Sequence, residues 1–121
     1  MSLSELQQVF ARNVARLILY MAESNYACTF GEAYRTPEQA ALNAKKGIGI
    51  VNSLHCKRLA IDLNLFKDGK YLSGGEHYKQ FGKYWVSLHE SNRYGGDWDK
   101  DGISGEKGEI DFNHFEMQEA P

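Results

Sequence analysis

The sequence predicts a small α+β domain with an antiparallel sheet and three helices. Two features carry that prediction. Apolar residues recur at helical spacing in separate stretches, and between 59 and 65 they alternate strictly. The resulting order (helix, strand, helix, strand, hairpin, helix, strand) implies helices set against an antiparallel sheet. At 121 residues the chain is expected to be one domain, 1–121, burying roughly two-thirds of its unfolded surface, with an N-terminal helix over 1–24 and a core over 26–117.

Each element has its own signal. Ser2 followed by Glu5 is a capping box, and Leu3, Leu6, Val9, Phe10, Val14, Leu17, Ile18 and Met21 share one face of the helix behind it. "YACTFGEAYR" favours a short strand. Thr36-Pro37-Glu38 starts a second helix that runs to about Lys46, where Gly47 stops it, and a Gly-rich loop follows. In "SLHCKRLAIDLNL", Leu59, Ile61, Leu63 and Leu65 predict a strand with one face in a core, and Asp62 points to the other face. "KDGK" is a hairpin turn that returns Lys70–Leu72 against this strand. A third helix is predicted from Glu76 to about Ser91, with Tyr78, Phe81, Trp85 and Leu88 on one side. A short strand, a polar Gly-rich loop and a final strand from about Ile110 complete the chain.

Composition narrows the function. With 42% hydrophobic and 25% charged residues the chain reads as an ordinary soluble protein, and a net charge of −2 argues against nucleic acid or an acidic membrane as partner. Cys28 and Cys56 do not make a disulfide framework, and Cys56 beside His55 lacks the spaced partner a ligand pair requires. The longest apolar run, Leu17–Ala22, is too short for a membrane anchor or a signal peptide, so a cytoplasmic monomer is expected.

Aspartate is depleted in strands, and a half-buried carboxylate needs a partner. His55, Asp62 and His114 are three polar residues in strand-like apolar surroundings. Two imidazoles and a carboxylate form the ligand set of a catalytic zinc, whose fourth position is open. From spacing alone, metal ligation and ordinary structural burial both remain open. His77 and His89, among Glu and Lys on the third helix, read as solvated surface.

"SLHCKRLAIDL" resembles the SxHxxxxAxD motif of the zinc peptidases that cut bacterial cell-wall peptides, the D-Ala-D-Ala carboxypeptidase and L-alanyl-D-glutamate endopeptidase superfamily. Asp111-Phe-Asn-His114 resembles the second half of that signature. "AYRTPEQA" is similar to its YRSxxxQ segment, and "YGGDWD" to the stretch before the last strand. The resemblance covers about residues 26 to 117. It implies that His55, Asp62 and His114 bind zinc, that Asp111 is the general base, and that Arg35 binds substrate and stabilises charge. Ser53 and Gln39 then fall at substrate-binding or supporting positions. Asp rather than Glu at the base position leans towards the phage-type endopeptidases that cut the L-Ala–D-Glu bond of peptidoglycan, with host-cell lysis as the outcome. Such an endolysin stays in the cytoplasm until a holin opens the membrane. A D-Ala-D-Ala carboxypeptidase or dipeptidase is the alternative enzyme, and a non-catalytic zinc-containing cell-wall module the alternative outside catalysis. Two further expectations follow. Asp111 must precede the regular strand or sit at a bulge to share a side with His114, and Glu116 is the next candidate base if Asp111→Asn keeps near wild-type turnover.

"DWDKDGISGEKGE" raises a second metal question. Asp97, Asp99, Asp101 and Gly102 match the first half of a calcium loop, but the closing Glu is due at 108, which is Gly, with Glu106 and Glu109 on either side. A solvated acidic loop and a weak calcium site both fit.

Overall fold

Helix α1, Leu3–Glu23, starts where the capping box predicts: Ser2 Oγ accepts from the Glu5 N–H at 3.1 Å, and Glu5 Oε1 accepts from the Ser2 N–H at 2.9 Å. Its inner face buries Leu6, Phe10, Asn13, Val14, Leu17 and Met21, whereas Leu3, at the first helical position, is exposed. The computed structural model describes residues 1–50 and 53–119, so the end of the Gly-rich loop at 51–52 lies outside the described residues.

Strand β1, Ala27–Phe30, leads to helix α2, Pro37–Lys45, with Pro37 in its first turn and Thr36 Oγ1 accepting from the Gln39 N–H at 3.1 Å. A 3-10 turn, Leu54–Lys57, precedes β2, Ala60–Lys67. The β2–β3 hairpin closes through Asp68 and Gly69, at φ 53° and 79°, the left-handed pair of a type I′ turn, and β3 is Lys70–Leu72. Helix α3, Gly75–Ser87, strand β4, Asn92–Tyr94, and strand β5, His114–Met117, follow.

The fold is α+β, with three helices and one antiparallel sheet among the described residues. The sheet runs β1-β2-β5-β4, with β3 also on β2. β1 pairs with β2 over residues 63–66, β5 over 60–62 and β3 over 65–67, so β5 and β3 share the edge opposite β1. Tyr78 ties β2 to β3 at the end of their pairing: its hydroxyl accepts from the Leu65 N–H at 3.0 Å and donates to the Leu72 carbonyl at 2.7 Å. α1 and α3 cover one face, where Leu59, Ile61, Leu63, Leu65, Phe115 and Met117 join Tyr78, Phe81 and Trp85 in one apolar cluster.

Two boundaries differ from expectation. α3 ends at Ser87 rather than near Ser91, because the buried Asn92 side chain donates to the Trp85 carbonyl at 2.9 Å and turns the chain out of the helix. β5 begins at His114 rather than near Ile110, because the His114 N–H donates to the Asp111 carbonyl at 3.1 Å and closes a turn before the strand. Among the described residues, no helix is long and apolar enough to cross a membrane.

Candidate functional site

The pleat sets up the site. Ile61 pairs with Phe115 on the helix-covered face, so the adjacent pair, Asp62 and His114, must face the other way. His55 reaches the same spot from the 3-10 turn, not from a strand as predicted. Ser53 Oγ accepts from the His55 N–H at 3.2 Å and caps that turn, and Arg58, at φ 56°, ends it. Ser53 is buried, so its hydroxyl acts on the position of His55.

His55 Nε2 lies 3.4 Å from Asp62 Oδ1, and His114 Nδ1 lies 3.2 Å from the same oxygen. The two rings stand 5.0 Å apart at 76°. Zinc bonds of about 2.0–2.1 Å place tetrahedral ligand atoms roughly 3.3 Å apart, which is the separation these pairs show. The donor set, two imidazole nitrogens and one carboxylate oxygen within 4.8 Å of one another, fits zinc.

Glu116, two residues past His114 and on the same face, accepts from His114 Nε2–H at 2.7 Å, which turns Nδ1 towards Asp62. The other Glu116 oxygen accepts from Arg93 Nε and Nη2 at 2.8 and 2.5 Å. Arg93 lies over the Trp98 ring at 5.2 Å, and Trp98 packs on His114 with centroids 5.5 Å apart. One Glu116 oxygen is thus held by His114 and the other by Arg93, an arrangement that fixes the imidazole in place.

The charges agree with this geometry. Burial lowers the His114 pKa, yet hydrogen bonds to Asp62 and Glu116 outweigh it and raise the group to about 9. Burial works against ionised Asp62 as well, but the two imidazoles bring it down to about 2. Asp111 differs: partial burial raises its pKa, which eases proton uptake by its carboxylate.

Asp111 sits at the mouth, its Oδ2 3.8 Å from His114 Nδ1. It precedes the regular pairing, as sharing a side with His114 requires. Gly95 makes that course feasible: a Cβ there would lie 2.2 Å from the Asp111 carbonyl oxygen. A cleft of about 340 Å³ opens over these groups, lined by Arg35, Ser53, His55, Asp62, Asp111 and His114 among others. Arg35 is ion-paired to Glu32, as a surface arginine would be, but it also forms the cleft wall, and its buried Nε has no partner among the described residues.

Gln39 is not in the cleft lining. Its side-chain amide donates to Asn43 Oδ1 at 2.7 Å along the exposed face of α2. His77 and His89 are half-buried and outside the metal-type clusters, and His89 lies beyond α3, where its Nδ1 accepts from the Ser91 N–H. Cys28 and Cys56 are free and half-buried. Glu116, Arg93 and Trp98 went unassigned as supports; the two-residue spacing of His114 and Glu116 in a strand was the signal available for one of them.

No protein-family profile matches the sequence, and none of the curated proteins does. Among solved structures, the chain is similar to the L-Ala D-Glu endopeptidase ChiX of Serratia marcescens. The TM-score is 0.66 at 16% identity, over 95% of this chain and 85% of that one. At this identity the likeness establishes a shared fold.

Proposed function

We propose that the chain is a zinc-dependent peptidase of peptidoglycan stem peptides, hydrolysing the L-Ala–D-Glu bond. The observation that carries this reading is the convergence of His55 Nε2 and His114 Nδ1 on one Asp62 oxygen, with Asp111 at the cleft mouth. The name of the structural neighbour supports the choice of bond.

His55, Asp62 and His114 would hold the metal, which supplies Lewis acidity that polarises a carbonyl and acidifies water. The rest falls to the chain. Asp111 accepts the proton of the attacking water and passes it to the departing amine. Arg35, always charged and held by Glu32, offers N–H donors to a substrate carboxylate or to the growing oxyanion. Glu116 and Arg93 keep His114 in the tautomer that presents Nδ1. The proposed route to substrate is that of an endolysin, stored in the cytoplasm and released when a holin opens the membrane.

Digestion of purified sacculi with zinc, followed by mass spectrometry of the fragments, tests the reading. New N-terminal D-Glu is the expected product. Released D-Ala would instead make the protein a carboxypeptidase, and the absence of any cleavage would make it a wall-binding module.

A further inference from the structure

Away from the histidines, the loop between β4 and β5 gathers a second set of carboxylates. Asp97, Asp99, Asp101 and Glu109 each bring one oxygen within 4.8 Å of the others. The Lys and Arg ion pairs among the described residues, Arg35–Glu32, Lys57–Glu119 and Arg93–Glu116, lie elsewhere. Acidic loops are common, and the three aspartates are half or fully exposed. Glu109 is not. It is 6% exposed, its Oε2 accepts from the Asp99 N–H at 3.0 Å, and its Oε1 is buried with no hydrogen-bond partner among the described residues, as is Asp97 Oδ1. A buried carboxylate oxygen without a donor is unfavourable unless a cation meets it.

We propose that Asp97, Asp99, Asp101 and Glu109 bind one hard divalent cation of the calcium class, separate from the His55–Asp62–His114 centre. Gly102, at φ 85°, takes the sharp turn at the sixth loop position, and its N–H donates to Asp97 Oδ2 at 2.9 Å. Glu109 replaces the closing glutamate one residue later than the regular loop has it, and Gly105 and Gly108, both at positive φ, let the chain return to deliver it. All four donors are oxygens, which disfavours zinc, and their irregular spacing suits calcium better than octahedral magnesium.

The site has a consequence for the cleft, which rests on the peptidase reading. Glu109 is two residues before Asp111, whose N–H donates to the Gly95 carbonyl at 3.2 Å. A cation held by Asp97 at one end of the loop and Glu109 at the other ties down the segment that delivers the base.

Calcium titration of the purified protein, followed by calorimetry and by amide exchange, tests the site without any activity measurement. One calcium per chain is expected, with a Kd on the order of 10⁻⁴ M, together with at least tenfold slower exchange of amides 102–111. Glu109→Gln and Asp99→Asn should each weaken calcium at least tenfold and leave zinc content unchanged; Asp99 is exposed, so its variant serves if the other does not fold. No binding at about 10 mM calcium, unchanged affinity in the folded variants, or equal affinity for magnesium would overturn the proposal. Failure of sacculus digestion would remove the peptidase reading and leave the cation site standing.

Discussion

The two carboxylate clusters of this molecule are built on opposite plans. In the cleft, Asp62 and Glu116 project from paired strands and meet imidazoles and a guanidinium. Their pKa values fall below the ordinary range even though burial pushes the other way. On the β4–β5 loop the carboxylates meet each other and backbone N–H groups. There Asp97 is raised, by burial first, and Glu106 is pushed to about 7, chiefly through its contact with Asp101. A sheet can hold cations against anions because its register puts chosen side chains opposite one another. A loop rich in glycine holds like charges together only loosely. The difference teaches that the cleft balances its charges within the protein, whereas the loop gathers carboxylates with no side-chain cation among the described ion pairs to offset them.

The largest break in that comparison comes from removing a partner in the cleft. His114→Ala deletes a proposed zinc ligand and strands Glu116, so the variant should lose stoichiometric zinc on dialysis against a mild chelator. Retention of one zinc per chain would show the ligand assignment to be wrong. Next in size is Asp111→Asn. The amide cannot take a proton, so turnover should fall by about 10²-fold or more with fold and zinc intact. Near wild-type turnover would place the base elsewhere, and the tied oxygens of Glu116 leave it a poor substitute.

A smaller effect is expected behind the ligands. Glu116→Gln can still bond His114 Nε2 but offers Arg93 and the imidazole no charge. Zinc affinity should drop about 10–100-fold, with the far-ultraviolet dichroism unchanged. Arg93→Met should act in the same direction and more weakly, since Arg93 touches the histidine only through Glu116 and Trp98. Equal zinc affinity in wild type and Glu116→Gln would reduce the residue to packing.

How much of this was legible in the sequence depends on whether the cause was local. The Ser2/Glu5 cap, the Thr36-Pro37 start, the Asp68-Gly69 turn and the alternation through Leu59–Leu65 are short-range signals, and each appears in the fold. The faces of Asp62 and His114 followed from the period of a strand. What escaped was set from a distance. Asn92 ends α3 by capping Trp85, and the turn at Phe112–Asn113 starts β5 late while Gly95 makes room for Asp111. Gln39 matched a motif, yet its helix turns the amide to Asn43. Glu109 was in view one residue past the expected ligand position. Its burial and its bond to the Asp99 N–H distinguish it from Glu106, and neither is a local property of the sequence.

The mildest test uses pH, and here the cleft itself supplies the sign. Asp62, lowered from 3.8 to about 2, contributes stability that is present above pH 3.8 and lost as pH falls towards 2. His114, raised from 6.5 to about 9, contributes stability that is full below pH 6.5 and lost as pH rises through 9. The two share one contact, so they are a single interaction seen from both ends. In a chelator the protein should therefore be most stable between about pH 4 and 6.5, losing on the order of 2 kcal/mol by pH 10 and roughly 6–12 °C in Tm. Zinc held through Nδ1 would reverse the upper limb, because the imidazole must then shed the Nδ1 proton that faces Asp62, so zinc affinity should climb over the same interval. Thermal scans with chelator and with zinc, from pH 5 to 10, should diverge steadily. Parallel curves would mean that His114 is not the group gaining the proton, and the contrast between the two clusters would then lose its electrostatic basis.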